Sequence, residues 1–144
     1  MRCLRGRLES NRIRVKVGIC PFEDDPRIAA NVNFEEFTAL IDTGALRTCV
    51  TRNVVDRLQL VRWGRIPVGN VKRTELHWTY MFHVCIWPET DGGSPPTPFG
   101  IGREIEGIDV GDSRYYDVLL GMDIISQGSL HLELDGSFEL AFPG

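Results

Sequence analysis

Ala39-Leu40-Ile41-Asp42-Thr43-Gly44-Ala45 is the stretch on which the fold turns. Three apolar residues run straight into a carboxylate, then a hydroxyl, then a glycine. A strand buried on both faces would carry Asp42 toward the interior, where an ionised carboxylate is costly unless donors meet it. Thr43 and Gly44 fit that need: a hydroxyl can brace the loop, and a glycine lets a backbone N–H come close. Near the other end of the chain a second apolar run, Val118-Leu119-Leu120-Gly121-Met122-Asp123, also closes on a glycine. Asp-Thr-Gly alone also fits an ordinary β-turn with Asp at its first position. The apolar lead-in, Ala45 and the second run argue for more than a turn.

Outward from this stretch the pattern is that of short strands. Arg12 to Ile19 alternates polar and apolar residues, as a strand with one buried face does. Phe37 to Ile41 reads as a second strand and Thr48 to Val50 as a third, while Asn53 to Leu60 has near-helical spacing. Ile66 to Gly69 and Leu76 to Trp87 predict a long hairpin with a strongly β-prone second arm. Leu130 to Leu134 and Phe138 to Phe142 flank Asp135-Gly136, a hairpin signal. Residues 1–11 read as a flexible lead-in and 12–144 as one domain. With no βαβ rhythm, the expected class is all-β, a closed barrel or a sandwich with one or two short helices.

The 144 residues suffice for a single core, and 42% apolar with 25% charged residues is ordinary for a globular chain. A net charge of -4 makes nucleic acid a poor partner. No run approaches the length of a membrane span, and Cys3, Cys20, Cys49 and Cys85 follow no zinc or disulfide-scaffold spacing. Free thiols, a cytoplasmic location, no membrane partner, no metal and no cofactor are therefore expected. His77, His83 and His131 form no ligand motif, and Ser126 to Ser129 has no nucleophile-elbow context. The aromatics Trp63, Trp78, Tyr80, Phe82 and Trp87 read mainly as core and hairpin packing.

Asp42-Thr43-Gly44-Ala45 together with Leu119-Leu120-Gly121 resembles the retropepsin-like aspartic proteases, over roughly Arg12 to Phe142 and most of all their bacterial members. The resemblance implies a closed β-barrel in which Asp42 is the catalytic aspartate. It implies that Thr43 forms a cross-subunit brace, that Gly44 lies beside the substrate backbone and that Ala45 lines the cleft floor. Gly121 would lie in a loop threaded beside the catalytic turn, with a short helix from Met122 to Gln127. Leu120 and Gly121 are expected on the substrate side, as are Val71, Lys72 and Arg73 at the tip of a covering flap. The implied chemistry needs one carboxylate to take a proton and another to give one. The chain carries one such motif, so the partners expected are a second copy and a polypeptide substrate. The C-terminal Ser137 to Phe142 is expected to add strands to that dimer.

Three departures stand out. The flap tip reads Lys72-Arg73-Thr74-Glu75 instead of glycines. Leu46 and Met122 stand where many viral relatives carry an ion pair, so those two are expected to touch and Arg47 to pair with Asp123. Pro88 to Gly111 reads as an exposed loop or an interface or lid element. The alternative to a protease is a catalytically weak or silent peptide-binding or dimerisation module. A third reading is an unrelated barrel in which Asp-Thr-Gly is a turn.

Overall fold

A computed structural model describes residues 1–22, 34–69, 72–90 and 92–144. Its elements are β1 (Arg2–Arg7), β2 (Arg14–Pro21), β3 (Glu35–Ile41), β4 (Cys49–Val50), α1 (Arg52–Leu58), β5 (Arg62–Gly69), β6 (Thr74–Ile86), β7 (Phe99–Gly100), β8 (Ile105–Asp109), β9 (Val118–Leu120), α2 (Met122–Ile125), β10 (Ser129–Leu132) and β11 (Ser137–Phe142).

Six strands close a barrel in the order β2-β3-β9-β4-β8-β6, with β6 returning to pair with β2. The 13-residue β6 makes closure possible by changing partners along its length. Thr74 to Tyr80 pairs with β5, Thr79 to Phe82 with β8, and Phe82 to Cys85 with β2. Alternating side chains fill the interior: Val17, Ile19, Phe37, Ala39, Val50, Phe82, Val84, Val118, Leu120 and Ile124 are all but inaccessible. Asp117 ties this wall to α1. Its carboxylate accepts the Thr38 N–H (3.0 Å) and the Asn53 side-chain amide (2.9 Å), and its own N–H donates to the Thr38 carbonyl (2.9 Å).

A second, three-stranded sheet has the order β1-β11-β10. The Asp135-Gly136 hairpin forms as expected: Asp135 Oδ1 accepts the Ser137 N–H (2.9 Å) and hydroxyl (2.7 Å), and Gly136 takes φ +89. Those two bonds hold the Asp135 carboxyl below the usual carboxylate range.

Three sequence expectations change here. The first residues are not a loose lead-in, because Arg2 to Arg7 pairs residue for residue with Phe142 to Ser137 and Leu4 packs on the core. β11 has both edges paired within its own chain, so Ser137 to Phe142 is not the segment left open to a partner. The stretch Pro88 to Gly111 is neither wholly loop nor lid: its β8 is a barrel stave between β4 and β6. Propensity understates β8 because Ile105-Glu106-Gly107-Ile108-Asp109 is short and half polar; Gly107 is needed because a Cβ there would sit 2.4 Å from the Phe82 ring. The aromatics divide as well. Tyr80 and Phe82 are buried, Trp78 is half-buried beneath the Arg62 and Arg65 guanidiniums, and Trp63 is exposed. Among the described residues no helix is long and apolar enough to cross a membrane.

Removing residues 1–7 strips β1 from β11 and Leu4 from the core. Burial of one such side chain contributes about 1.5–3 kcal/mol, so the truncated protein should melt about 5–10 °C lower by calorimetry.

Candidate active site

β3 ends at Ile41, opposite Leu120 of the parallel β9, and the Asp42 N–H continues that ladder into the Leu120 carbonyl (2.9 Å). The chain then turns on itself. Asp42 Oδ1 accepts the Gly44 N–H at 2.9 Å, and the Asp42 carbonyl accepts the Ala45 N–H at 3.2 Å. Asp42 is half-buried, while Thr43 and Gly44 are exposed. The carboxylate thus reaches the rim of the barrel and not its interior, since β3 ends one residue before it.

The β9–α2 junction is pressed against the far side of this turn. The Met122 N–H donates to the Ala45 carbonyl (2.8 Å) and the Asp123 N–H to the Leu46 carbonyl (3.2 Å). A Cβ on Gly121 would lie 2.6 Å from the Arg47 carbonyl carbon and 2.9 Å from the Ala45 oxygen, so only glycine fits. Buried Thr48 locks the junction: its N–H (2.9 Å) and hydroxyl (2.7 Å) both donate to the Asp123 carboxylate, and its hydroxyl accepts the Gly121 N–H (3.1 Å). Asp123 therefore serves Thr48 and not Arg47, whose guanidinium pairs with Glu106 at 3.1 Å. Glu106 in turn accepts the Thr79 hydroxyl (2.7 Å). Leu46 is exposed rather than tucked under α2.

Two recesses flank the turn. One, of about 370 Å³, lies between Gly44, Ala45, Leu46 and Arg47 on one side and Ile66 to Gly69 of β5 on the other, over Cys49 and Ile108. It is a cleft roofed by the β5–β6 hairpin. Burial pushes the Cys49 thiol in its floor up to about 11, and the Asp123 and Asp42 carboxylates add to the shift. The other, of about 320 Å³, brings Asp42 and Thr43 together with Leu8, Ile13, Leu119 and the half-exposed Leu132.

The sequence-derived site residues fall unequally on this geometry. Asp42, Thr43, Gly44 and Ala45 share the turn between the recesses. Lys72 and Arg73 sit exposed at the hairpin tip, and Val71 lies outside the described residues. Leu120 does not face the cleft: its side chain is fully buried in the core and it acts through its carbonyl. Gly121 is buried as well, beneath residues 45–47. Sequence reasoning missed Cys49, Ile66, Val68 and Ile108 as cleft walls. The alternation of Gly64, Ile66 and Val68 with Arg65, Pro67 and Gly69 could have marked the roof.

A solved retropepsin-like aspartic protease from Rickettsia conorii superposes with a TM-score of 0.59 over 97% of this chain and 90% of that one, at 15% identity. The chain has the retropepsin-like fold. The retroviral protease-like domain of Ddi1 from Leishmania major matches with a TM-score of 0.40 over 83% of this chain and 81% of that one, at 14% identity. No protein-family profile matches the sequence, and no curated protein matches it.

Two substitutions probe the junction of this retropepsin-like turn. Gly121→Ala must displace backbone on both sides and should cost about 1–3 kcal/mol by urea denaturation. Thr48→Val removes one of the two donors to the half-buried Asp123 carboxylate and leaves the buried Gly121 N–H without its acceptor, and should cost a similar ~1–3 kcal/mol while leaving the circular dichroism spectrum unchanged. A third measurement concerns Cys49: with its thiol titrating only near 11, iodoacetamide should label it negligibly at neutral pH and faster as the pH climbs toward that value, read by peptide mass spectrometry.

Proposed function

We propose that the protein is a homodimeric aspartic endopeptidase. The observation that carries this reading is the position of Asp42, on an Asp-Thr-Gly turn facing a hairpin-roofed cleft in a retropepsin-like barrel. Among the described residues, no other carboxylate lines either recess beside it. Acid–base hydrolysis of an amide through water needs a base and an acid, and two carboxylates held together share one proton and provide both. The second is then Asp42 of another copy, across a two-fold axis next to the turn. Water between the two carboxylates gives a proton to the ionised one as it attacks the scissile carbonyl, while the shared proton moves to the carbonyl oxygen; the pair then returns a proton to the amide nitrogen as the C–N bond breaks and the carboxylic acid and amine products leave. The polypeptide lies extended in the cleft, under the hairpin, as an added strand.

The fold offers an edge for that dimer. β10 is the outer strand of its sheet among the described residues, and Leu132 at its end lines the recess that holds Asp42 and Thr43. The Glu133 N–H points inward to the Ser137 carbonyl (2.8 Å), so strand alternation turns the N–H and C=O of Leu130 and Leu132 outward. Exposed Leu134 lies just beyond. A second reading, a peptide-binding module with little or no hydrolysis, draws on the charged hairpin tip.

Asp42→Asn should keep the fold and lower peptide cleavage about 100- to 10,000-fold. The parent's rate should trace a bell against pH, as a coupled pair requires. An Asn variant that cleaves as well as the parent overturns the mechanism; a parent that binds peptides without cleaving them favours the module. Leu132→Asp should yield a monomer by sedimentation velocity and lose activity with it.

A further inference from the structure

The charged hairpin tip, foreign to a glycine-rich flap, has an arrangement of its own. In the β5–β6 ladder Ile66 lies opposite His77 and Val68 opposite Glu75. Directly opposed residues of an antiparallel pair share a face. Ile66 and Val68 are the half-buried residues of β5 that wall the cleft, so His77 and Glu75 lie on that same face of the hairpin. The contact between His77 Nδ1 and the Asp109 carbonyl of β8, at 2.7 Å, places the ring on that side.

This contact also orients the ring. A carbonyl only accepts, so Nδ1 carries the hydrogen, and in the neutral ring Nε2 is left as an acceptor. Nε2 lies 3.6 Å from Glu75 Oε2, while Arg73 takes the other oxygen, Oε1, from the exposed tip. With the ring neutral, two acceptors stand side by side with no hydrogen between them. They line a recess of about 240 Å³ with Val68, Gly69 and Arg73. Val68 and Gly69 also wall the apolar cleft beside Asp42, so the two compartments adjoin.

We infer that Glu75 and His77 form a subsite for a basic substrate side chain. Resting on the endopeptidase reading above, this names the substrate class: a peptide with an apolar residue in the cleft and a lysine or arginine two positions away. The spacing follows from an extended peptide, whose side chains return to the same face every second residue, about 6.5–7 Å apart. The ammonium or guanidinium supplies the hydrogens that Nε2 and Oε2 both lack. Two-fold symmetry repeats the subsite on either side of the scissile bond.

The test uses three fluorescent peptides that share a central leucine pair and carry lysine, norleucine or glutamate two residues out on both sides. Binding is measured by anisotropy on the Asp42→Asn dimer, and cleavage on the parent. The lysine peptide should bind about tenfold more tightly than the norleucine peptide, as one partly exposed charged hydrogen bond provides, with the difference in KM and not kcat. Glu75→Gln should bring that ratio close to one. Glu75→Lys should turn the preference toward glutamate, with circular dichroism reporting that both variants fold. Equal binding of the three peptides, no binding of any, or a lysine preference that survives Glu75→Gln overturns the subsite. Lysine-selective binding with no cleavage by the parent leaves the subsite standing and removes the endopeptidase reading.

Discussion

The parallel pairing of β3 with β9 is the constraint from which the rest follows. It sets Leu120 beside Ile41, extends one further bond to the Asp42 N–H, and so fixes where the turn begins. It also delivers Gly121 directly beneath residues 45–47, at a distance that no side chain permits. A parallel pair of such short strands cannot be joined by a tight loop, so the chain must travel through the hairpin and β8 before it returns. The Thr48–Asp123 lock then closes the junction from inside. The charge of Asp123 is met by two donors of one residue, so it is spent on rigidity and leaves Asp42 as the carboxylate at the rim.

Much of this was legible in the sequence because local signals and tertiary demands agree. The apolar lead-in to Asp42, the Asp-Gly hairpin and the β-prone arm of β6 each predict what is found. What stayed hidden depends on partners far away in the chain. Arg2 to Arg7 has three arginines and looks solvated; only the register with β11 shows that Leu4 faces the core and that Arg5 bridges Glu89 and Glu139. Arg47 pairs with Glu106 and not with the expected Asp123, because Thr48 offers the Asp123 carboxylate two hydrogen bonds and Glu106, with one oxygen on Thr79, has the other for the guanidinium. The resemblance of Leu119-Leu120-Gly121 puts Leu120 on the substrate side, but strand alternation along β9 turns its side chain into the core.

The turn therefore divides two kinds of surface. On one side lies the mostly apolar cleft between residues 44–47 and β5. On the other, Thr43 and Leu132 border a recess next to the outer edge of β10. Between them sits the half-buried Asp42 carboxylate, and in the proposed dimer its symmetry mate would approach from the flank bordered by Thr43 and Leu132.

β6 gives the roof an unusual mechanical character. The same strand that forms the hairpin's second arm runs on, without a break, to seal the barrel against β2 and β8. The roof is thus a cantilever clamped in the wall, not a hinged door. Its free span ends at Thr79, where β8 takes hold, so bending is confined to the outer half and the clamped half transmits load straight into the seam of the barrel.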